Sequence, residues 1–174
     1  MCAMELVAWI AGERHTSSPA GACPLLTSMV QGLNDGFEDS ERQRLIEYAL
    51  PLAHSLADRN EESQRAQLAA AWLKHEYPSY RHAEGAPFVA LAVAMAAEWE
   101  EPGWADKAFT DLERDIAVGL RPETDEEAAT LEGSGDRVEM LESVFALLDR
   151  MLATPTPESL DGEDGAAGAV VPVG

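Results

Sequence analysis

Residues 87–100 read PFVALAVAMAAEWE, and this stretch decides what kind of fold the chain adopts. Its opening proline and its many alanines favour an α-helix. Such a helix is apolar on nearly every side, which is typical of a helix surrounded by others. The apolar run from Ala86 to Ala97 is about 12 residues long, whereas a membrane-spanning helix needs about 20. The sequence therefore predicts the buried central helix of a helical domain.

Further helical patterns, separated by turn residues, lie on both sides of this stretch. Pro51 lacks a backbone N–H, so we expect a kink or break near Tyr48–Pro51 in the third helix. Asn60 is expected to cap the fourth helix, and Trp72 to lie on its inward face with Leu68, Ala71 and His75. The predicted helices span residues 4–11, 24–33, 40–58, 61–77, 87–100, 104–118 and 136–152, with a weaker acidic helix at 122–131.

The last helix has the clearest periodicity. Its apolar residues form two adjacent stripes, Val138, Leu141, Phe145, Leu148 and Leu152 beside Met140, Val144, Leu147 and Met151. No segment shows the sustained period-two alternation of a half-buried strand. We therefore predict an all-α, single-domain bundle of about six to seven helices over residues 1–153. Residues 154–174 begin Thr-Pro-Thr-Pro and continue with Gly, Ala and acids, which predicts a disordered acidic tail.

Charge divides the chain unevenly. Its 32 acids and 12 Lys or Arg give a net charge of −20. Residues 1–97 hold 12 acids and 7 bases (net −5), and residues 98–174 hold 20 acids and 5 bases (net −15). Nucleic acids and anionic membranes select basic surfaces, so we expect neither as a partner. An acidic surface instead favours a protein partner with a basic surface.

The cysteine content and the N-terminal sequence predict a cytoplasmic protein. Only two cysteines occur, Cys2 and Cys23, so no disulfide framework is indicated. The first residues lack the basic region and the long apolar run of a signal peptide.

Two pairs of residues in the first half are candidate metal ligands. His15 and Cys23 offer an imidazole and a thiolate, with Glu13 as a third donor, although structural zinc requires four ligands. The alternative is a buried cysteine beside a histidine that caps the loop. Glu47 and His54, seven residues apart, could share a metal or a proton, or could instead form separate helical pairs.

The N-terminal motif resembles a known family. Gly12-Glu13-Arg14-His15, then Cys23-Pro24, then Asn34-Asp35, is similar to the start of a family of uncharacterised helical proteins from actinobacteria. The resemblance implies a helical fold and carries no activity. Relatives often have a second His and Cys in this loop, where the chain has Ser18 and Gly21, so two ligands of any metal site in those relatives would be missing here.

The segment from His75 to Glu84 is the candidate ligand-binding loop. Loops present polar groups at the mouths of pockets, and the candidates here are His75, Tyr77, Tyr80, Arg81 and His82. The alternative is a helix connection whose tyrosine rings cover the core. No catalytic or cofactor motif occurs, so the sequence assigns neither catalytic residues nor a cofactor, and both stay unknown. The sequence favours a non-catalytic acidic helical interaction or regulatory protein; the alternative is a small metal- or metabolite-binding protein or enzyme with its site in the N-terminal half.

Overall fold

The computed structural model describes residues 3–108, 110 and 137–153, and all regular elements within these residues are helical. This confirms the predicted all-α bundle. The predicted helix at 122–131 and the predicted tail at 154–174 lie outside the described residues. The helices are α1 (Ala3–Ile10), α2 (Pro24–Gly36), α3 (Asp39–Leu45), α4 (Ala49–Ala53), α5 (Arg59–His75), α6 (Ala86–Ala97) and α7 (Arg137–Leu152), with 3₁₀ helices at Ile46–Tyr48 and Tyr77–Ser79 and a further helical stretch at 104–108.

Helix α6 occupies the centre of the bundle, where it packs most extensively on α2 and α5. Small residues bring α2 and α6 close together. A Cβ atom at Gly32 would lie 2.8 Å from Cβ of Ala92, and one at Gly36 would lie 3.0 Å from Cβ of Phe88. Glycine is therefore the residue that this close helix contact requires.

The expectation that α6 is buried on all sides is wrong. Most of its alanines and valines are buried, but Phe88 is 50% exposed and Met95 is 39% exposed. The two lie seven residues apart, so they occupy the same side of the helix. Helices α2 and α5 enclose the small residues, and α6 consequently keeps a narrow apolar face toward solvent.

The predicted break near Pro51 is confirmed. Helix α3 ends at Leu45, a 3₁₀ turn follows, and α4 begins at Ala49. Pro51 thereby falls in the first turn of α4, where a missing N–H costs no intrahelical hydrogen bond. Because α4 ends at Ala53, Leu56 lies beyond it and is 57% exposed, although its four-residue spacing from Leu52 would place the two on the same face of a continuous helix.

The predicted cap of α5 is wrong, and its predicted inward face is correct for Trp72 but wrong for Ala71 and His75. Asp58, not Asn60, caps the helix: its Oδ1 accepts from the Glu61 N–H at 2.9 Å, while Glu61 Oε2 accepts from the Asp58 N–H at 2.8 Å. Trp72 is buried as expected, but Ala71 and His75 are exposed and Leu68 is only half-buried. The buried set is Glu61, Arg65, Ala66, Ala69, Trp72 and Leu73.

Helix α7 closes the core with both of its predicted stripes, although Val138 at its start is 63% exposed. Phe145 is its central anchor. The ring of Tyr48 stacks on that of Phe145 with centroids 5.8 Å apart, and the Arg44 guanidinium lies 4.0 Å from the centre of the same ring. The buried residues of α7 are Met140, Leu141, Val144, Phe145, Leu147, Leu148 and Met151.

Ion pairs surround this apolar contact between α7 and α3. Arg137 donates from Nε and Nη2 to the two carboxylate oxygens of Glu41, at 2.8 and 2.7 Å. Burial opposes ionisation of Glu41, but the hydrogen bonds from Arg137 and from the Glu38 backbone prevail and lower its pKa. A second pair joins Arg44 to Glu142 at 2.6 Å. These ion pairs thus fix the rotation of α7 about its own axis, which its two adjacent apolar stripes do not determine by themselves.

No helix in the described part of the chain is both long enough and apolar enough to cross a membrane.

Candidate functional site

The loop after α5 separates its candidate residues into two groups. Tyr77 and Tyr80 are partly buried and pack against the core, with the Tyr77 ring 6.0 Å from that of Trp72. His75 is exposed at the end of α5. This arrangement agrees with the alternative interpretation, in which the tyrosine rings cover the core while their hydroxyl ends reach toward water.

Two candidate residues of this loop do lie together. Arg81 Nε donates to His82 Nε2 at 2.9 Å, and both side chains are exposed. The pair forms a small polar feature of the surface next to the start of α6.

The candidate metal pair His15 and Cys23 is divided between solvent and core. His15 is exposed, and its Nε2 lies 3.3 Å from Glu5 Oε1. The Cys23 side chain is fully buried, and the Cys23 N–H donates to Ser55 Oγ at 3.0 Å. Glu13, the third candidate donor, accepts from the backbone N–H groups of residues 20 and 21 at 3.0 and 3.2 Å. The carboxylate of Glu13 thus holds the loop together.

The second candidate pair, Glu47 and His54, is exposed at both positions. Glu47 lies in the 3₁₀ turn before α4, and His54 directly follows α4. Among residues 3–108, 110 and 137–153, no three His, Cys, Asp or Glu side chains come together in a way that could hold a metal ion.

A small pocket lies between the start of α1, the loop at residue 17 and the end of α2. Its volume is about 280 Å³. One wall is fixed by Gln31, whose Nε2 donates to the Ser17 carbonyl at 2.6 Å. The polar groups come from loop and helix positions that form no motif, so nothing in the sequence marks them as a site. The lining residues are Met4, Ser17, Gln31, Asn34 and Asp35.

A buried polar cluster joins α5 to the end of α7. Arg65 is 1% exposed; its Nε donates to the Met151 carbonyl at 2.9 Å and its Nη1 to the Ser55 carbonyl at 2.7 Å. One turn earlier, Glu61 is 3% exposed, and its Oε1 meets no hydrogen-bond donor among the described residues. The Asp-x-x-Glu spacing of a capping box was available in the sequence, but nothing there marks Arg65 as a core residue.

The outer face of the central helix carries large apolar side chains that are exposed or half-buried, and Trp99 in the turn after the helix continues them. We call these residues the α6 stripe: Phe88, Leu91, Met95 and Trp99. Phe88 and Trp99 are each about half exposed, at 50% and 49%. Leu91 is half-buried between them. The sequence had shown these residues as apolar, but only the packing of α2 and α5 reveals which of them face solvent.

Carboxylates surround the Trp99 end of the α6 stripe. The Trp99 indole N–H donates to Glu62 Oε2 at 3.2 Å, which ties the tryptophan to α5. Glu98 accepts from the backbone N–H groups of Ala105 and Gly103 at 2.9 and 2.7 Å, and these hydrogen bonds lower its pKa. Glu101 lies 3.7 Å from Lys74. We call Glu62, Glu98, Glu100 and Glu101 the acidic edge.

Comparison with known proteins found no relative: no protein-family model, no curated protein and no solved structure matches the chain. The resemblance of the N-terminal motif to an actinobacterial family stays a prediction.

Proposed function

We propose that this chain is a non-catalytic, acidic helical interaction protein whose partner has a basic surface. The observation that carries the proposal is the presence of large apolar side chains that are exposed on a chain of net charge −20. On one side of α6 and the turn after it, Phe88 is 50% exposed, Trp99 49% and Met95 39%. Exposed apolar side chains grouped among polar ones are typical of protein-binding surfaces, and excess negative charge accelerates encounter with a cationic partner.

The proposal has a direct test in two salt conditions. Tagged protein is used to capture partners from a lysate of the organism that encodes it, at low and at physiological or higher ionic strength. We expect a partner with a basic surface that is retained at low salt and lost as salt screens the attraction. Capture that does not depend on salt, or the absence of any partner in both conditions, would contradict the proposal.

A second candidate function rests on the pocket beside α2. A volume of about 280 Å³ is just below the usual range for a small-molecule site, and the amide and carboxylate groups of Gln31, Asn34 and Asp35 give it polar character. The candidate is therefore a small polar metabolite bound in the N-terminal half.

Thermal unfolding in the presence of a metabolite and metal panel tests this second candidate. A ligand of the native state raises the melting temperature, by an amount set by its concentration relative to Kd. The Asn34→Ala variant serves as the matched control, because it removes a lining amide. If no compound shifts wild type more than this variant, the pocket is not a binding site.

A further inference from the structure

The α6 stripe has the geometry of a helix-binding surface. Phe88 and Met95 are seven residues apart, so they lie on the same side of α6, two turns and about 10 Å from each other along its axis. Leu91 lies between them, and Trp99 continues the row in the turn that follows the helix. A second helix that packs along such a row places its own apolar residues at positions i, i+3 or i+4, and i+7.

The charge around the stripe determines which helix fits. The acidic edge contributes four carboxylates at the Trp99 end. Among the described residues, two lysines lie beside it: Lys74, which pairs with Glu101, and Lys107, which lies over the Trp104 ring as Lys74 does. This end of the stripe also coincides with the C-terminal end of α6, where the helix dipole adds partial negative charge. The combination attracts cations to one end of an apolar row.

We propose that the α6 stripe and the acidic edge together bind a cationic amphipathic helix of a partner protein. The inference rests on the proposed function and specifies its surface. The partner's apolar side chains lie along Phe88, Leu91 and Met95. Its Lys or Arg side chains lie over the acidic edge, which fixes the direction of the bound helix relative to α6.

Charge also argues against the other occupants. A second copy of the chain would bring two acidic edges and two charges of −20 together. Residues 111–136 of the same chain contain nine acids and two arginines, so their net charge is also negative and the acidic edge repels them. An anionic bilayer is repelled for the same reason. A cationic helix is the occupant for which both the apolar row and its edge are complementary.

The test uses a designed peptide of known properties. The probe is a fluorescent amphipathic helix of about five turns, with Leu and Trp on one face and Lys on the other. Its control has the same composition in scrambled order, so that the net charge is kept and the apolar face is lost. Anisotropy titrations with the full chain at physiological ionic strength separate specific binding from general attraction to an acidic protein.

Matched variants locate the binding site on the protein. The double variant F88S/M95S removes apolar contacts from the stripe. Its control is I46S/L50S, which changes two side chains of similar exposure, 45% and 60%, in the 3₁₀ turn and α4 instead of α6. For the acidic edge, Glu100→Lys is compared with Glu47→Lys, because both carboxylates are exposed. Circular dichroism and melting temperature establish that each variant is folded.

We expect wild type to bind the amphipathic peptide about tenfold or more tightly than the scrambled one, and F88S/M95S to lose about tenfold in affinity. The I46S/L50S control should stay within about twofold of wild type. Glu100→Lys should weaken binding and reduce its salt dependence more than Glu47→Lys does.

Equal losses in the stripe variant and its control would overturn the inference, as would equal binding of the two peptides. Sedimentation as a dimer that F88S/M95S dissociates would show a second copy as the occupant and would also overturn it. If F88S/M95S still captures the salt-sensitive partner from lysate, the inference fails while the proposed function stands. If neither peptide nor lysate partner binds, both fail.

Discussion

Replacing Arg65 by methionine tests the buried cluster that joins α5 to α7. The change keeps most of the side-chain volume but removes the two hydrogen bonds to the carbonyls of Met151 and Ser55, at 2.9 and 2.7 Å. Hydrogen bonds from a charged donor contribute about 1.5–3 kcal/mol each, so the gross loss is roughly 3–6 kcal/mol. Methionine also relieves the cost of holding a guanidinium away from water, which returns part of that loss.

We expect Arg65→Met to lower the free energy of unfolding by about 2–4 kcal/mol, which for a chain of this length corresponds to roughly 5–15 °C in melting temperature. Urea denaturation followed by circular dichroism measures the first quantity and thermal unfolding the second. The last turn of α7 should also exchange its amide protons faster, because the Met151 carbonyl loses its partner.

Arg59→Met is the matched control, since Arg59 opens the same helix and is exposed. Its effect should fall within about 0.5 kcal/mol of zero. If Arg65→Met is no more destabilising than Arg59→Met, then the two buried hydrogen bonds do not stabilise the junction and the reasoning is refuted.

Three further changes test the helix contacts. Gly32→Ala places a Cβ atom 2.8 Å from that of Ala92. Although alanine favours a helix more than glycine does, this overpacking should lower the free energy of unfolding, measured by urea denaturation, by about 1–3 kcal/mol. An unchanged or raised free energy of unfolding would contradict the close contact. Arg137→Gln should destabilise at neutral pH by about 1–3 kcal/mol. Because the folded-state pKa of Glu41 is lowered from 4.5, the difference from wild type should persist above pH 4.5 and shrink as the pH falls through that lowered value, to the part that comes from the hydrogen bond between Arg137 Nη1 and the Glu84 carbonyl. A difference that is constant across this range would exclude the ion pair as a cause. Burial and a hydrogen bond with Asp149 raise the pKa of Tyr48 to about 12. Tyr48→Phe should therefore remove a late-ionising phase from the spectrophotometric titration of the folded protein, and an unchanged titration curve would contradict this.

The sequence was sufficient for features that depend on local periodicity. The two stripes of α7 are apolar at helical spacing, and their burial around Phe145 follows from that pattern alone. Pro51 likewise marks a break, because the absence of its N–H acts within one turn of the chain. These features require no knowledge of which helix lies next to which.

Features that depend on neighbouring helices were not predictable. Helix α5 is rich in alanine, and its faces differ little in hydrophobicity. The sequence therefore predicted Leu68 and His75 on the inward face, whereas Arg65 is the residue that is buried. A buried arginine needs acceptors for its N–H groups. Here they are the backbone carbonyls of residues 55 and 151, which are distant in sequence. The half-exposed state of Phe88 is equally a result of packing, since it reflects where α2 and α5 stop covering α6.

The candidate sites also depend on which helices pack together, which the sequence alone does not show. Composition pointed to titratable residues in the loop at 75–84, but the structure turns Tyr77 and Tyr80 toward the core and His75 toward solvent. The α6 stripe contains no titratable residue, so a search for chemistry-bearing residues passes over it. Its signal in the sequence was the large side chains of Phe88 and Met95 within an otherwise small-residue helix.

The attachment of α7 has a consequence for the order in which this protein folds during synthesis. Its ion pairs join Arg137 to Glu41 and Glu142 to Arg44, across 96 and 98 residues of chain. The ribosome therefore releases the helices up to α6 well before it has made the helix that covers them. At about 5–20 residues per second, the interval is on the order of several seconds. Through that time the surface that later receives Phe145 stays open to water and to chaperones.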